Sequence, residues 1–249
     1  MRRLTEAWFE YRGIRSSDMG IKLRKMATRT APGVSIERKR VSGRDGTLRY
    51  GRATDDDVQV RIECDAVDDT KITDIMGWLT GSGDLRFSDE PDLVYDASIE
   101  KEFTRSQIMA RYAGQRFTVA WTCAPHRRLY PDAEPITITS SGTAIDNPGT
   151  AAALPRVEIT GNGDFSITIG MQTAFFRGVE GGIIVDSELG DALTTDGAQL
   201  ANDRMDGELY AIQPGTNVVS WLTGGEDEDG NATTGSVSQV RITPRWRYR

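Results

Sequence analysis

Gly77-Trp-Leu-Thr-Gly-Ser-Gly-Asp-Leu-Arg-Phe-Ser-Asp-Glu-Pro-Asp-Leu-Val-Tyr-Asp-Ala97 follows the start of a short amphipathic segment. Ile72, Ile75 and Leu79 fall at i, i+3 and i+7, so they share one helical face. Asp69 or Thr70 is placed to cap the start of that helix, and Gly81 or Gly83 to end it. Leu85-Arg-Phe-Ser alternates apolar with polar, the pattern of a half-buried strand. Pro91 lacks a backbone donor and pushes Glu90 into extended conformation, which predicts a turn there before Leu93-Val-Tyr resumes. Helix, glycine break, strand, turn and strand make a small α+β packing unit without chemistry of its own.

Upstream, short strands around Phe9–Tyr11 and Gly20–Leu23 flank a turn built on Gly13, Ser16, Ser17 and Asp18. Val34, Ile36 and Val41 give a strand pattern interrupted by Glu37-Arg-Lys-Arg40. Val41-Ser-Gly-Arg-Asp-Gly-Thr-Leu48 is then a glycine-punctuated turn feeding another strand. Arg38, Lys39, Arg40, Arg44 and Arg49 are a candidate phosphate patch. Glu37 and Asp45 dilute its field, and the solvated or partner-facing side of a hairpin arm explains these cations about as well. Asp55-Asp-Asp57 reads as a solvated turn, because consecutive carboxylates rarely converge on one ion. Val58-Gln-Val-Arg-Ile-Glu-Cys64 alternates cleanly. Further segments follow at 98–103 and 108–112, then a strong strand with Phe117, Val119, Trp121 and Cys123 on one face.

Two prolines and a change of charge coincide between Arg127 and Pro135, which places a domain boundary at 132/133. Residues 1–130 carry 23 Lys+Arg against 20 Asp+Glu, whereas residues 131–249 carry 7 against 17. The halves are therefore +3 and −10, and neither is basic enough to bind nucleic acid on charge alone. Beyond the boundary, Ile136-Thr-Ile-Thr opens a run of short strands. Asp146-Asn-Pro-Gly-Thr turns the chain, and Gly161-Asn-Gly163 reads as a hairpin between Pro155–Ile159 and Phe165–Ile169. Gly182–Glu188, Val218–Leu222 and Val237–Thr243 complete the pattern of a β-sandwich. The fold class is thus mainly β: an N-terminal β-rich (α+β) domain with one short helix, residues 1–132, followed by a β-sandwich, residues 133–249.

No apolar run approaches the roughly 20 residues that a membrane-spanning helix needs. Met1-Arg-Arg-Leu-Thr-Glu6 lacks an apolar signal core, so secretion by that route is not expected. Cys64 and Cys123 sit in strand-like apolar settings and are expected as buried, reduced thiols. An enzyme would need a constellation that is missing. The one histidine, His126, lies beside Pro125 and two arginines at the boundary and reads as a linker residue. There is no HExxH or paired CxxC motif, and Gly81-Ser-Gly and Gly161-Asn-Gly lack the Lys-Ser/Thr pair or the helix of a phosphate loop. Asp227-Glu-Asp-Gly-Asn231 echoes a calcium loop but lacks its sixth-position glycine and twelfth-position glutamate, and reads as an exposed acidic loop. No catalytic residue, metal site or cofactor is expected.

Several of these segments together resemble one family. A helix ending in Trp78-Leu-x-Gly, then Leu85-x-Phe-Ser-Asp-Glu-Pro-Asp and a Tyr95-x-Ala strand, is similar to the distal tail proteins of long-tailed, non-contractile bacteriophages. The opening Ser-x-Asp-x-Gly-Ile, the Gly43-Arg-Asp-Gly-Thr-Leu turn and the Phe117-x-Val-x-Trp-x-Cys-x-Pro strand fit as well. In the second half Asn147-Pro-Gly, Pro155-x-Val-x-Ile-x-Gly-x-Gly, Ile184-Val-Asp-Ser-Glu, Pro214-Gly-Thr-Asn and Pro244-Arg-Trp-Arg resemble the family's galectin-like domain.

The resemblance implies a structural virion protein made in the host cytoplasm: a ring-forming N-terminal domain, a homo-hexameric hub at the distal end of the tail, and no membrane insertion. Its implied partners are the tail tube protein and the tail-tip, fibre and receptor-binding proteins, with phage DNA passing through the channel without specific binding. It also implies inter-subunit contact for the hairpin around Val41–Tyr50, with Arg38, Arg40, Arg44, Asp45 and Arg49, and for the strands after Ser98. The alternative is a carbohydrate-binding module for host-surface recognition. A galectin-type site would need a histidine, and the second half has none, so no glycan affinity is expected.

Overall fold

Alternating strands dominate the computed structural model, which describes residues 7–66, 69–99, 115–226 and 232–249. They cluster into two units, Met1–Tyr130 with Arg249, and Pro131–Tyr248.

The first unit contains β1 (Phe9–Tyr11), β2 (Ile14–Arg15), β3 (Ile21–Leu23), β4 (Val34–Lys39), β5 (Leu48–Asp55) and β6 (Val58–Ala66). After these come α1 (Ile72–Trp78), β7 (Gly81–Phe87), β8 (Glu90–Ile99), β9 (Gln115–Cys123) and β10 (Arg127–Leu129). Its main sheet runs β2-β1-β7-β8-β9-β6-β3, with β10 also paired to β8. The β6–β9 ladder is the longest, from Val58↔Cys123 to Ala66↔Gln115, and the alternation read in both strands buries one face of each.

That face carries an aromatic cluster. Phe9 stacks on Trp78 with centroids 5.5 Å apart, and Trp121 meets Phe9 at 5.2 Å and Phe87 at 6.4 Å edge-on. The Trp78 indole N–H donates to the Tyr11 carbonyl (2.8 Å), and the Tyr11 hydroxyl donates to the Gly81 carbonyl (2.5 Å). These bonds satisfy the polar ends of rings whose bodies are buried, and they fix α1 to β1. Ile75 and Leu79 are fully buried, as their helical spacing predicts.

Three details differ from the sequence reading. A single 3-10 turn, Asp69–Lys71, leads into α1, so Lys71 takes the N-cap position without a side-chain cap. Gly81 does not end the helix but opens β7. The turn falls at Ser88 and Asp89, ahead of Pro91, which lies in β8 where the register jumps from Phe87↔Glu90 to Arg86↔Val94. A bulge demands no ladder donor there, which suits proline. β1 and β2 also form a two-residue hairpin through Arg12 and Gly13, both at positive φ (51° and 77°), as a type I′ turn requires.

Cys64 and Cys123 are free and buried, and burial pushes the Cys64 thiol up strongly and the Cys123 thiol up to about 12. Thiolate is the reactive form. Native protein is therefore expected to ignore a thiol reagent at pH 8, and guanidinium-unfolded protein to titrate two thiols. A fast-reacting native thiol would contradict this burial.

The second unit holds β11 (Ile136–Ile138), β12 (Thr143–Asn147), β13 (Arg156–Ile169), β14 (Gln172–Val179), β15 (Ile183–Asp186) and β16 (Asp191–Leu193). It continues with β17 (Met205–Gly207), β18 (Gly215–Thr223), β19 (Gly225–Glu226), β20 (Ala232–Thr233), β21 (Gly235–Thr243) and β22 (Arg247–Tyr248). Here the hairpin expected at Gly161-Asn-Gly163 is replaced by one uninterrupted 14-residue strand, β13.

The glycines mark irregular register instead: pairing slips between Thr160 and Gly161 against β21, and between Gly163 and Phe165 against β14. A Cβ at Gly161 would lie 2.3 Å from the Ser236 carbonyl oxygen, and one at Gly163 would lie 2.2 Å from that of Thr234. Close backbone approach, not a turn, is what these positions require. At this irregularity β13 changes partners. Arg156–Ile159 lie between β21 and β15, whereas Phe165–Ile169 lie between β18 and β14. With β11, β16, β12 and β17 at the margins, two five-stranded leaves share one strand.

Motifs distant in sequence meet in this unit. Arg245 binds Asp186 through two bonds of 2.6 and 2.9 Å, joining Ile184-Val-Asp-Ser-Glu to Pro244-Arg-Trp-Arg. Asp186 is 1% exposed and also accepts from the Glu188 and Leu189 amides (3.2 Å each). Asn147 accepts from the Gly149 amide (2.8 Å) and donates to the Ile212 carbonyl (2.8 Å), which explains Asn-Pro-Gly as a buried Asx turn.

Candidate inter-subunit surface

Strands β4 and β5 form a two-stranded sheet of their own, hydrogen-bonded to no other strand among the described residues. Their register pairs Glu37 with Tyr50, Arg38 with Arg49, and Lys39 with Leu48. Opposed residues share a face. One face of this arm therefore carries Arg38 and Arg49 side by side, and the other carries Glu37, Lys39, Leu48 and Tyr50. Arg40 follows β4, and Arg44 and Asp45 lie in the connecting turn, where the Arg44 amide donates to the Val41 carbonyl (3.3 Å).

Every residue from Glu37 to Tyr50 is exposed. The structure thus brings Arg38 and Arg49 together and strings Arg40, Arg44 and Asp45 along the tip. Two like charges opposed across a strand pair cost stability, and an isolated two-stranded ribbon is marginal in water.

The root of the arm is held by ion pairs that sequence reading missed. Arg29, ahead of β4, pairs with Asp89 (2.5 Å) and with Glu90, and its guanidinium lies 4.5 Å from the Phe87 ring centroid. Arg127 reaches the same Glu90 at 2.8 Å. Asp89-Glu90 is therefore an anchor as well as turn chemistry. At the end of β5, Asp55 binds His126 Nε2 (2.9 Å) and Arg249 (2.5 Å), which belongs to the same unit. The Arg249 guanidinium, opposed by burial and helped by His126, holds the Asp55 carboxyl below its ordinary range. Asp55 is thus no solvated turn residue, and His126 is no idle linker. Nothing local in the sequence signals either pairing.

Among the described residues, no group of three or more His, Cys, Asp or Glu side chains could hold a metal ion. No helix of the described chain is long and apolar enough to cross a membrane. The acidic loop 227–231 and residues 100–114, which include most of the contact segment expected after Ser98, lie outside the described residues.

No protein-family model matches the sequence, and no curated protein matches it. A solved structure does match: the Dit protein (gp 19.1) of SPP1, presented as a paradigm of hub adsorption apparatus in Gram-positive-infecting phages. The two superpose with a TM-score of 0.66 over 95% of this chain and 97% of that one, at 13% sequence identity. The two chains share one fold. The mainly β architecture expected from the sequence is thus the architecture of SPP1 Dit, the kind of protein that the scattered motifs resemble.

Proposed function

We propose that this chain is the hub at the distal end of a long, non-contractile phage tail. Six copies close into a ring that joins the tail tube to the tail-tip and receptor-binding proteins. Residues 1–132 form the ring around a channel for DNA, and residues 133–249 form a galectin-like domain. The role is geometric and non-enzymatic, and needs no cofactor. The observation that carries this reading is the shared fold with SPP1 Dit over nearly the full length of both chains. The exposed arm of β4 and β5, with Arg38, Arg40, Arg44, Asp45 and Arg49, supports it, because a head-to-tail interface closes a ring only if each copy offers a surface for the next.

Gold-labelled antibody against the chain tests the reading on intact virions. Label confined to the tip of the tail opposite the head is expected. Label along the whole tail, on the head, or on no particle would sink the proposal.

A further inference from the structure

We infer that Asp45-Gly46, in the turn joining β4 to β5, is a site of spontaneous backbone rearrangement that converts Asp45 to isoaspartate. The inference is independent of the hub reading. The Gly46 nitrogen attacks Cγ of the protonated Asp45 carboxyl, forming an N–Cγ bond. A Cγ–O bond breaks, and one water leaves with the amide hydrogen. A second water then opens the five-membered imide. Addition at Cγ restores aspartate. Addition at the Asp45 backbone carbonyl carbon breaks its bond to nitrogen and leaves the chain running through Cγ. That product is an isomer with one extra methylene in the backbone and a free α-carboxylate.

Glycine permits this closure because it has no Cβ to block the approach. The chain has Asp-Gly at Asp45, Asp196, Asp206 and Asp229, and Asn-Gly at Asn162, whose amide cyclises by the same route with loss of ammonia. Asp229 lies outside the described residues. Three of the other four are restrained. Asp196 accepts from the Thr194 hydroxyl (2.5 Å) and the Ala198 amide (3.0 Å). Its would-be nucleophile, the Gly197 amide, donates to the Thr194 carbonyl (2.8 Å). Asp206 and Gly207 lie in β17, paired with Phe175 and Ala174. Asn162 lies within β13, and its Oδ1 accepts from the Gly181 amide (2.7 Å). Asp45-Gly46 has none of these restraints. It falls beyond the last pair of the arm, Lys39↔Leu48, and is exposed. Among the described residues, no hydrogen bond reaches the Asp45 carboxylate or the Gly46 amide. Nothing lies within 4 Å of a Cβ built on Gly46, so the peptide can swing onto the side chain without a clash.

The test ages the full chain at pH 7.4, folded and in urea, and follows each site by peptide mapping with electron-transfer fragmentation. Labelling with an isoaspartyl methyltransferase and a tritiated methyl donor gives an independent count. Unfolded chain measures what each dipeptide does without structure. In folded chain Asp45 should keep a rate within about threefold of its unfolded one, while Asp196, Asp206 and Asn162 fall at least about tenfold, a barrier higher by about 1.4 kcal/mol. The variant D45E, which removes the five-membered ring, should lose most of the label that folded wild type takes up. Suppression of Asp45 on folding to the same degree as the other three would overturn the inference. So would label on folded D45E equal to that on wild type. Either result would leave the hub reading intact.

Discussion

Replacing Arg245 with alanine is expected to destabilise the second unit by about 3 kcal/mol at pH 7, near the lower end of the range for breaking a buried ion pair. The lower end applies because the Arg245 side chain is 32% exposed, while Asp186 is at 1%. The loss comes from what remains: a buried carboxylate with only the Glu188 and Leu189 amides for partners. Burial alone would raise the Asp186 pKa, but the Arg245 guanidinium and these amides outweigh it and hold the carboxyl below its ordinary value.

The pH dependence has the sign that this depression sets. A depressed folded pKa gives stability that is present above the unfolded value, about 3.9, and lost as pH falls through the folded one. Without Arg245, burial governs Asp186 and its pKa rises, so protonation relieves the variant on acidification. The gap between wild type and R245A should therefore be widest at pH 7 and narrower at pH 4. Urea unfolding at the two pH values measures it, and a gap that widens towards pH 4 would refute this account of the pair.

The second large effect is expected at Gly163. An alanine there meets two separate costs: a positive φ of 74°, and a Cβ 2.2 Å from the Thr234 carbonyl oxygen. The first costs about 1–2 kcal/mol, and forcing the neighbouring backbone aside adds about 1–3 more. Gly142 separates the two, because its φ is 86° with nothing within 4 Å of a built Cβ. G142A should pay only the conformational cost, and G163A clearly more, in the same unit and the same unfolding assay. Equal losses would mean that the ladder beside Gly163 yields freely and that the close approach constrains nothing.

Legibility in the sequence tracked how local the cause was. Phe117, Val119, Trp121 and Cys123 were readable because strand alternation alone decides which face is buried, and all four are at 2% exposure or less. Ile75 and Leu79 were readable for the same reason at helical spacing. Gly161-Asn-Gly163 misled because glycine serves a tight turn and a close backbone approach alike, and only the partner strand tells them apart. The anchors Arg29 to Glu90 and Asp55 to His126 were invisible, since each joins residues about 60 or more positions apart through a sheet order that no short window encodes. The arm itself was visible as a hairpin. That it stands outside both main sheets, with Arg38 opposite Arg49, became evident only from the register.

The shared strand β13 has a consequence for the order of events in folding. Neither leaf of the second unit can be completed before β13 is in place. Its Arg156 end in turn waits for Thr243, across a long intervening segment. Closing so large a loop is an entropic cost met before any contact rewards it, which makes the search slow. During synthesis the first unit can settle while the second still lacks β21. The acidic half is therefore the late-folding part of the molecule, its two leaves complete only once β21 has been made and paired with β13.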